Sequence, residues 1–220
     1  MDFTIEKETL LSALTTLSKI NPSRTTLPIL STVLIKTNDT NTIILRSTDL
    51  EVELEIKASA KVLEEGETCA PIYKLLEITN TITEPNVSLN VNETQRMRIK
   101  TSTGKYLLMC NKTEEFPDQR EFNDEPKQVS ADFLRDTIKN TTYACSKDEL
   151  KPTLNGVLFT FSSTSVTAVA TDGHRLVKYE KNNEKMGDFG DIIVPKKFLN
   201  LMAGGLNSGS IKLSVSETHL

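Results

Sequence analysis

The sequence predicts an α+β fold of two tandem modules, each made of two strand–helix–strand–strand–strand halves with the helices on one face of antiparallel sheet. Three observations carry this expectation. Sequence blocks recur at a spacing of about 124 residues. Short stretches alternate apolar and polar residues between polar turns, the period of half-buried strands. Two segments in each copy place leucines or other apolar residues at helical spacing.

The repeat is explicit. Pro28-Ile29-Leu30-Ser31-Thr32-Val33-Leu34 returns as Pro152-Thr153-Leu154-Asn155-Gly156-Val157-Leu158, and Thr48-Asp49 returns as Thr171-Asp172. Pro71 with Leu75 returns as Pro195 with Leu199, and the Leu89–Thr94 block returns as Leu213–Thr218. Four blocks in one order at nearly constant spacing are the mark of a tandem duplication.

The first copy supplies the element order. Phe3–Glu6 reads as a strand, and Glu8–Ile20 as a helix with Leu10, Leu14 and Leu17 on one stripe, stopped by Asn21-Pro22. Val33–Lys36, Thr42–Arg46 and Val52–Ile56 read as an antiparallel meander, with a turn at Thr37–Thr40. The order then restarts: a strand near Thr68–Ala70, Pro71 at the first helical position, and a helix to about Thr81. Strands at Ser88–Val91, Met97–Lys100 and Tyr106–Cys110 complete it, with a turn at Thr103-Gly104. In the second copy the first helix is expected over Ala131–Tyr143. The polar stretch Glu114–Glu125, closed by Pro126, reads as the linker, giving modules 1–124 and 125–220.

Composition narrows the function classes. An apolar content of 37% over 220 residues suffices for packed cores. Three cysteines show no pair with metal-ligand spacing, and their odd number argues against a disulfide framework. The start MDFTIEKETL is too charged for a signal peptide, and no apolar run is long enough to span a membrane. A cytoplasmic location is expected, with no cofactor and no metal. The net charge of −4 disfavours general attraction to nucleic acid but leaves room for one basic surface.

The phrases Arg24–Leu30, Ser47-Thr48-Asp49-Leu50-Glu51 and Glu115-Phe116-Pro117-Asp118 resemble the first domain of bacterial DNA sliding clamps, the beta subunits of DNA polymerase III. Leu154–Phe159 and Ala170-Thr171-Asp172-Gly173-His174-Arg175-Leu176 resemble the second domain. The resemblance implies a non-catalytic processivity factor: a head-to-tail homodimeric ring of three-domain protomers that encircles duplex DNA. It implies that helices line the hole, and that the polymerase catalytic subunit and the clamp loader dock through short peptides. A third module is missing from these 220 residues, and the second copy stops before the counterpart of the Met97–Cys110 hairpin. A truncated peptide-docking or decoy module that cannot close a ring is therefore the alternative.

Candidate residues follow from the resemblance. Arg24, Lys74, Arg135, Lys139, Lys147, Lys151, Lys196 and Lys197 would contact phosphates without sequence preference. Against them stands the plainer reading as solvated surface charge, diluted by Glu77, Asp132, Asp136, Asp148 and Glu149. Leu154, Thr171, Gly173, His174, Arg175 and Leu176 would line the partner-peptide pocket. The same Asp172 and His174 could suggest a hydrolase, but no nucleophile or phosphate loop accompanies them. Asp49 repeats the aspartate without His or Arg, which points to a turn former.

Overall fold

A computed structural model describes residues 1–22, 25–39, 41–102, 104–118, 126–148, 150–162, 165–182, 190–206 and 208–214. The chain forms two compact units, Met1–Gln119 and Arg120–Leu220.

Unit 1 opens with β1 (Asp2–Glu6) and α1 (Lys7–Leu17). A 3-10 turn at Pro28–Ser31 leads into β2 (Thr32–Thr37), β3 (Thr42–Thr48) and β4 (Glu53–Ser59). Next come β5 (Lys61–Glu64), β6 (Glu67–Pro71), α2 (Ile72–Thr81), β7 (Asn86–Val91), β8 (Arg96–Lys100) and β9 (Lys105–Met109). The strands form two antiparallel sheets, in the orders β5-β1-β7-β8-β9 and β4-β3-β2-β6. One apolar core joins Leu10, Leu14 and Leu17 of α1 and Ile72 and Leu75 of α2 to both sheets. The leucine stripe of α1 is thus fully buried, as its helical spacing requires.

Three local differences from the sequence reading have simple causes. Helix α1 ends at Leu17, and Ser18–Ile20 form a turn before Asn21-Pro22. Pro71 closes β6 and caps α2 from the position before its first residue, because it pairs with Thr32 across the sheet. Strand β5 was not expected: Lys61–Glu64 shows little alternation of burial and owes its conformation to pairing with β1.

Unit 2 repeats the plan. It contains β10 (Lys127–Ser130), α3 (Ala131–Thr141), β11 (Gly156–Phe161), β12 (Ser165–Thr171) and β13 (Leu176–Asn182). Then follow β14 (Gly190–Pro195), α4 (Lys196–Gly205) and β15 (Ser210–Leu213). The Ser130 hydroxyl accepts from the Phe133 amide at 3.2 Å and caps α3. One sheet has the order β13-β12-β11-β14, and β10 pairs with β15. The registers match those of unit 1 residue for residue: Leu34 opposite Cys69 becomes Leu158 opposite Ile193, and Ile5 opposite Val87 becomes Val129 opposite Ile211. The counterparts of β5 and of the Val91–Thr94 block lie outside the described residues, as does Thr40 of the first expected turn.

Candidate functional site

The Thr171–Leu176 phrase forms the tight connection between β12 and β13. Its shape comes from two side chains. Thr171 Oγ1 donates to Arg175 O at 2.7 Å and accepts from Gly173 N at 3.1 Å. Asp172 Oδ1 accepts from the amides of His174 and Arg175, both at 3.0 Å. Gly173 sits at φ +88°, the left-handed region that glycine enters without penalty. The amide of His174, then that of Arg175, hold the Asp172 carboxyl below its ordinary pKa, with the Arg175 guanidinium adding to them. The aspartate is therefore a turn former.

The turn pushes its remaining side chains outward. His174 and Arg175 are exposed, and Leu176 keeps 67% of its surface in solvent. Arg175 Nε donates to Asp172 Oδ2 at 2.9 Å, and its guanidinium lies 5.9 Å from the centre of the Tyr143 ring. Sequence reasoning missed Tyr143, which lies in the 3-10 turn Thr142–Ala144 after α3, because nothing local ties that segment to this turn. Leu154 ends the 3-10 turn Pro152–Leu154 just before β11 and is half-buried. The start of β11 runs alongside the end of β12, so Leu154 and the turn occupy the same end of one sheet. An open groove of about 420 Å³ lies elsewhere, between α1 and β4, lined by Glu8, Thr9, Ser12, Thr16 and Lys57, and contains none of the expected site residues.

The described candidates for phosphate contact lie on α2 of unit 1 and on α3, α4 and the loop before β11 of unit 2. Lys74 on α2 pairs with Glu77 at 3.6 Å. Arg135 on α3 pairs with Asp132 at 3.0 Å and donates to Leu206 O at 3.1 Å. Lys139 follows one turn later on α3, and Lys151 lies 3.9 Å from Asp148 in the loop that also carries exposed Lys147. Lys196 and Lys197 open α4, the former half-buried and the latter exposed. Arg24 and Glu149 lie outside the described residues. Exposed pairs of this type contribute little to stability, but they neutralise part of the positive charge these residues could offer. All three cysteines are free, and burial raises their pKa values, that of Cys69 to about 12, which suppresses thiolate chemistry.

Sequence and structure comparisons agree with this architecture. Residues 1–120 match the family model for the DNA polymerase III beta subunit, N-terminal domain, and residues 128–220 match that for its central domain. The beta sliding clamp of Pseudomonas putida is 30% identical over the whole chain, which covers 61% of that protein. That of Chlamydia muridarum is 29% identical over 90% of the chain and 54% of its own length. The chain thus spans a little over half the length of these relatives. A crystal structure of the Pseudomonas aeruginosa sliding clamp bound to griselimycin superposes with a TM-score of 0.90 at 29% identity, covering 99% of this chain and 60% of that one. The Bacillus subtilis clamp, at 22% identity and a TM-score of 0.91, shares the fold over 99% of this chain and 60% of its own. With both of its units matched in order, the chain belongs to the DNA polymerase III beta subunit family, the beta sliding clamps.

Proposed function

We propose that this chain supplies the first two domains of a DNA sliding clamp, a processivity factor without chemistry of its own. The observation that carries the reading is the co-linear match of both units to the N-terminal and central domains of the family. In this reading a head-to-tail homodimeric ring with third domains encircles duplex DNA in the cytoplasm, and polymerisation belongs to the catalytic subunit it tethers. Arg24, Lys74, Arg135, Lys139, Lys147, Lys151, Lys196 and Lys197 contact phosphates without reading sequence. The exposure of Lys139 on α3 and of Lys197 at the start of α4 supports this assignment. Leu154 and Leu176, edged by Thr171, Gly173, His174 and Arg175, receive the apolar anchor of short peptides from the polymerase and the clamp loader. The high exposure of Leu176, beside a turn held by the hydrogen bonds of Thr171 and Asp172, supports this part.

The test uses a complete ring carrying these two units. It should remain on nicked circular DNA and slide off the same DNA once linearised. Equal loss from both forms would remove the case for topological tethering. Replacing Arg135 and Lys139 together by Ala should lower the salt dependence of DNA binding by about two ions' worth of slope.

A further inference from the structure

In unit 1 the end of α1 and the start of α2 meet at a hydrogen-bonded joint. Glu8, Ser12 and Thr15 of α1 and Lys19 just beyond it are exposed, three or four positions apart and so on one face. Lys19 stands in the turn Ser18–Ile20, where its amide donates to Thr16 O at 3.3 Å and that of Ile20 to Leu17 O at 3.2 Å. Tyr73 of α2 donates its hydroxyl to Asn21 O at 3.1 Å and lies 3.4 Å from Ser18 O, so it grips the backbone on both sides of Lys19. Lys74 follows it, also exposed. Among the described residues no carboxylate pairs with Lys19. Glu8, the acid of the same stripe, lies about 16 Å away along the helix, beyond the roughly 8 Å screening length at physiological salt, and already faces Lys7 at 3.6 Å.

The displacement of 124 residues carries this joint into unit 2 with its side chains exchanged. Helices α1 and α3, and α2 and α4, correspond at that displacement. Lys19 and Tyr73 become Tyr143 and Lys197, while Thr15 and Lys74 become Lys139 and Phe198. At these four positions each unit therefore has two lysines and one tyrosine, in different places. A lysine stem is about as long as one helical turn of 5.4 Å, so a cation moved by one turn can address the same neighbourhood. Position-by-position reading against the second copy passes over Lys19, because its counterpart is an uncharged ring.

We propose that Lys19 contacts the backbone phosphates of duplex DNA and that Tyr73 is its positioning residue. The inference rests on the DNA-binding role proposed above and adds to it a cation on the α1 side of unit 1. The contact is an ammonium replacing a condensed counterion at a phosphate, so it reads no base. Tyr73 acts through the turn: by fixing Ser18 and Asn21 to α2 it holds the Lys19 backbone before DNA arrives, which lowers the ordering cost of the contact.

The probe is a fluorescent mixed-sequence DNA duplex, titrated with the whole chain at a series of low salt concentrations. Lys19→Ala should make the slope of log K against log salt shallower by about 0.9, and by the same amount on a second duplex of unrelated sequence. Lys61→Ala, at an exposed position on β5, should leave the slope unchanged. Tyr73→Phe keeps the ring and removes the hydroxyl; it should weaken binding severalfold in the unaltered chain and cause no further loss beside Lys19→Ala. An equal loss in both backgrounds would make Tyr73 merely structural and overturn its positioning role. An equal change of slope with Lys61→Ala would mean diffuse attraction, and a sequence-dependent change would mean base reading; either overturns the assignment. If the double replacement of Arg135 and Lys139 by Ala lowers the slope but Lys19→Ala does not, Lys19 falls and the wider phosphate reading stands. Salt-independent binding by the unaltered chain would overturn both.

Discussion

In unit 1 the row Cys69, Leu34 and Arg46 lies buried beneath Phe116, whereas in unit 2 the matching row Ile193, Leu158 and Val169 stands partly open. Where strands of both units are described, their registers correspond. Thr48, Asp49 and Val52 reproduce the hydrogen bonds of Thr171, Asp172 and Arg175, at 2.7 to 3.1 Å, down to the aspartate oxygen that accepts from two successive amides. The duplication has preserved what holds each sheet together and let the surfaces diverge. Unit 1 closes this face with its own segment Asn111–Pro117, a strap that pairs with Cys69 and lays Phe116 over the row.

Removing the plug should produce the largest effect. Phe116→Ala takes a buried ring from a small cluster and should destabilise unit 1 by about 3–4 kcal/mol. Amide exchange should accelerate in β2 and β6 while β11 and β14 keep their protection. Equal acceleration in both units would show that the strap does more than close its own face.

A close approach in unit 2 comes next. Gly156 occupies the position of Thr32, and a Cβ there would stand 2.7 Å from Ile193 Cγ2 and 2.8 Å from Val194 O. Since the carbonyl cannot move aside cheaply, Gly156→Ala should cost about 2 kcal/mol in a denaturant melt of unit 2. A neutral result would mean that β11 and β14 can separate to the spacing Thr32 tolerates.

The tandem plan, the buried stripe of α1 and the pairing of most strands were legible in the sequence, because each rests on a period of 2, 3.6 or 124 residues that the chain itself displays. What was not legible depends on distant partners. Strand β5 exists only through β1, and β6 leaves its neighbour β7 to join β2. The Arg46–Pro117 hydrogen bond spans 71 residues, and nothing in the local pattern of either segment announces it. At the candidate site, Asp172 was readable as a turn former from its repeat at Asp49, but the approach of Arg175 to the Tyr143 ring was not.

A smaller difference separates the two turns. Leu50 sits at φ +77°, where Gly173 sits at +88°. A leucine in the left-handed region carries a strain of about 1 kcal/mol, which glycine lacks. Leu50→Gly should therefore stabilise unit 1, by about 1 kcal/mol or less, and Gly173→Ala should destabilise unit 2 by a similar amount. Paired melts of the two variants test this. If Leu50→Gly destabilises instead, then Leu50, 51% exposed, makes contacts worth more than its strain.

The finest expected effect concerns the charge on Asp172. Its folded pKa lies below the ordinary 3.8, so its contribution to stability is fully present above that value and is lost as pH falls through the folded pKa. The cause can be resolved. The amides of His174 and Arg175 act first and the Arg175 side chain after them. Arg175→Ala removes the 2.9 Å contact but leaves both amides in place, so the carboxyl resonance of Asp172 should still titrate below 3.8, only slightly higher than before. The Thr171–Leu176 turn should keep its shape in the variant, because Thr171 and Asp172 Oδ1 still hold it. A return of the midpoint to the ordinary value would assign the shift to the ion pair. The turn would then owe its rigidity to an exposed arginine, and the likeness to the Thr48–Val52 turn, where a valine stands in that position, would fail.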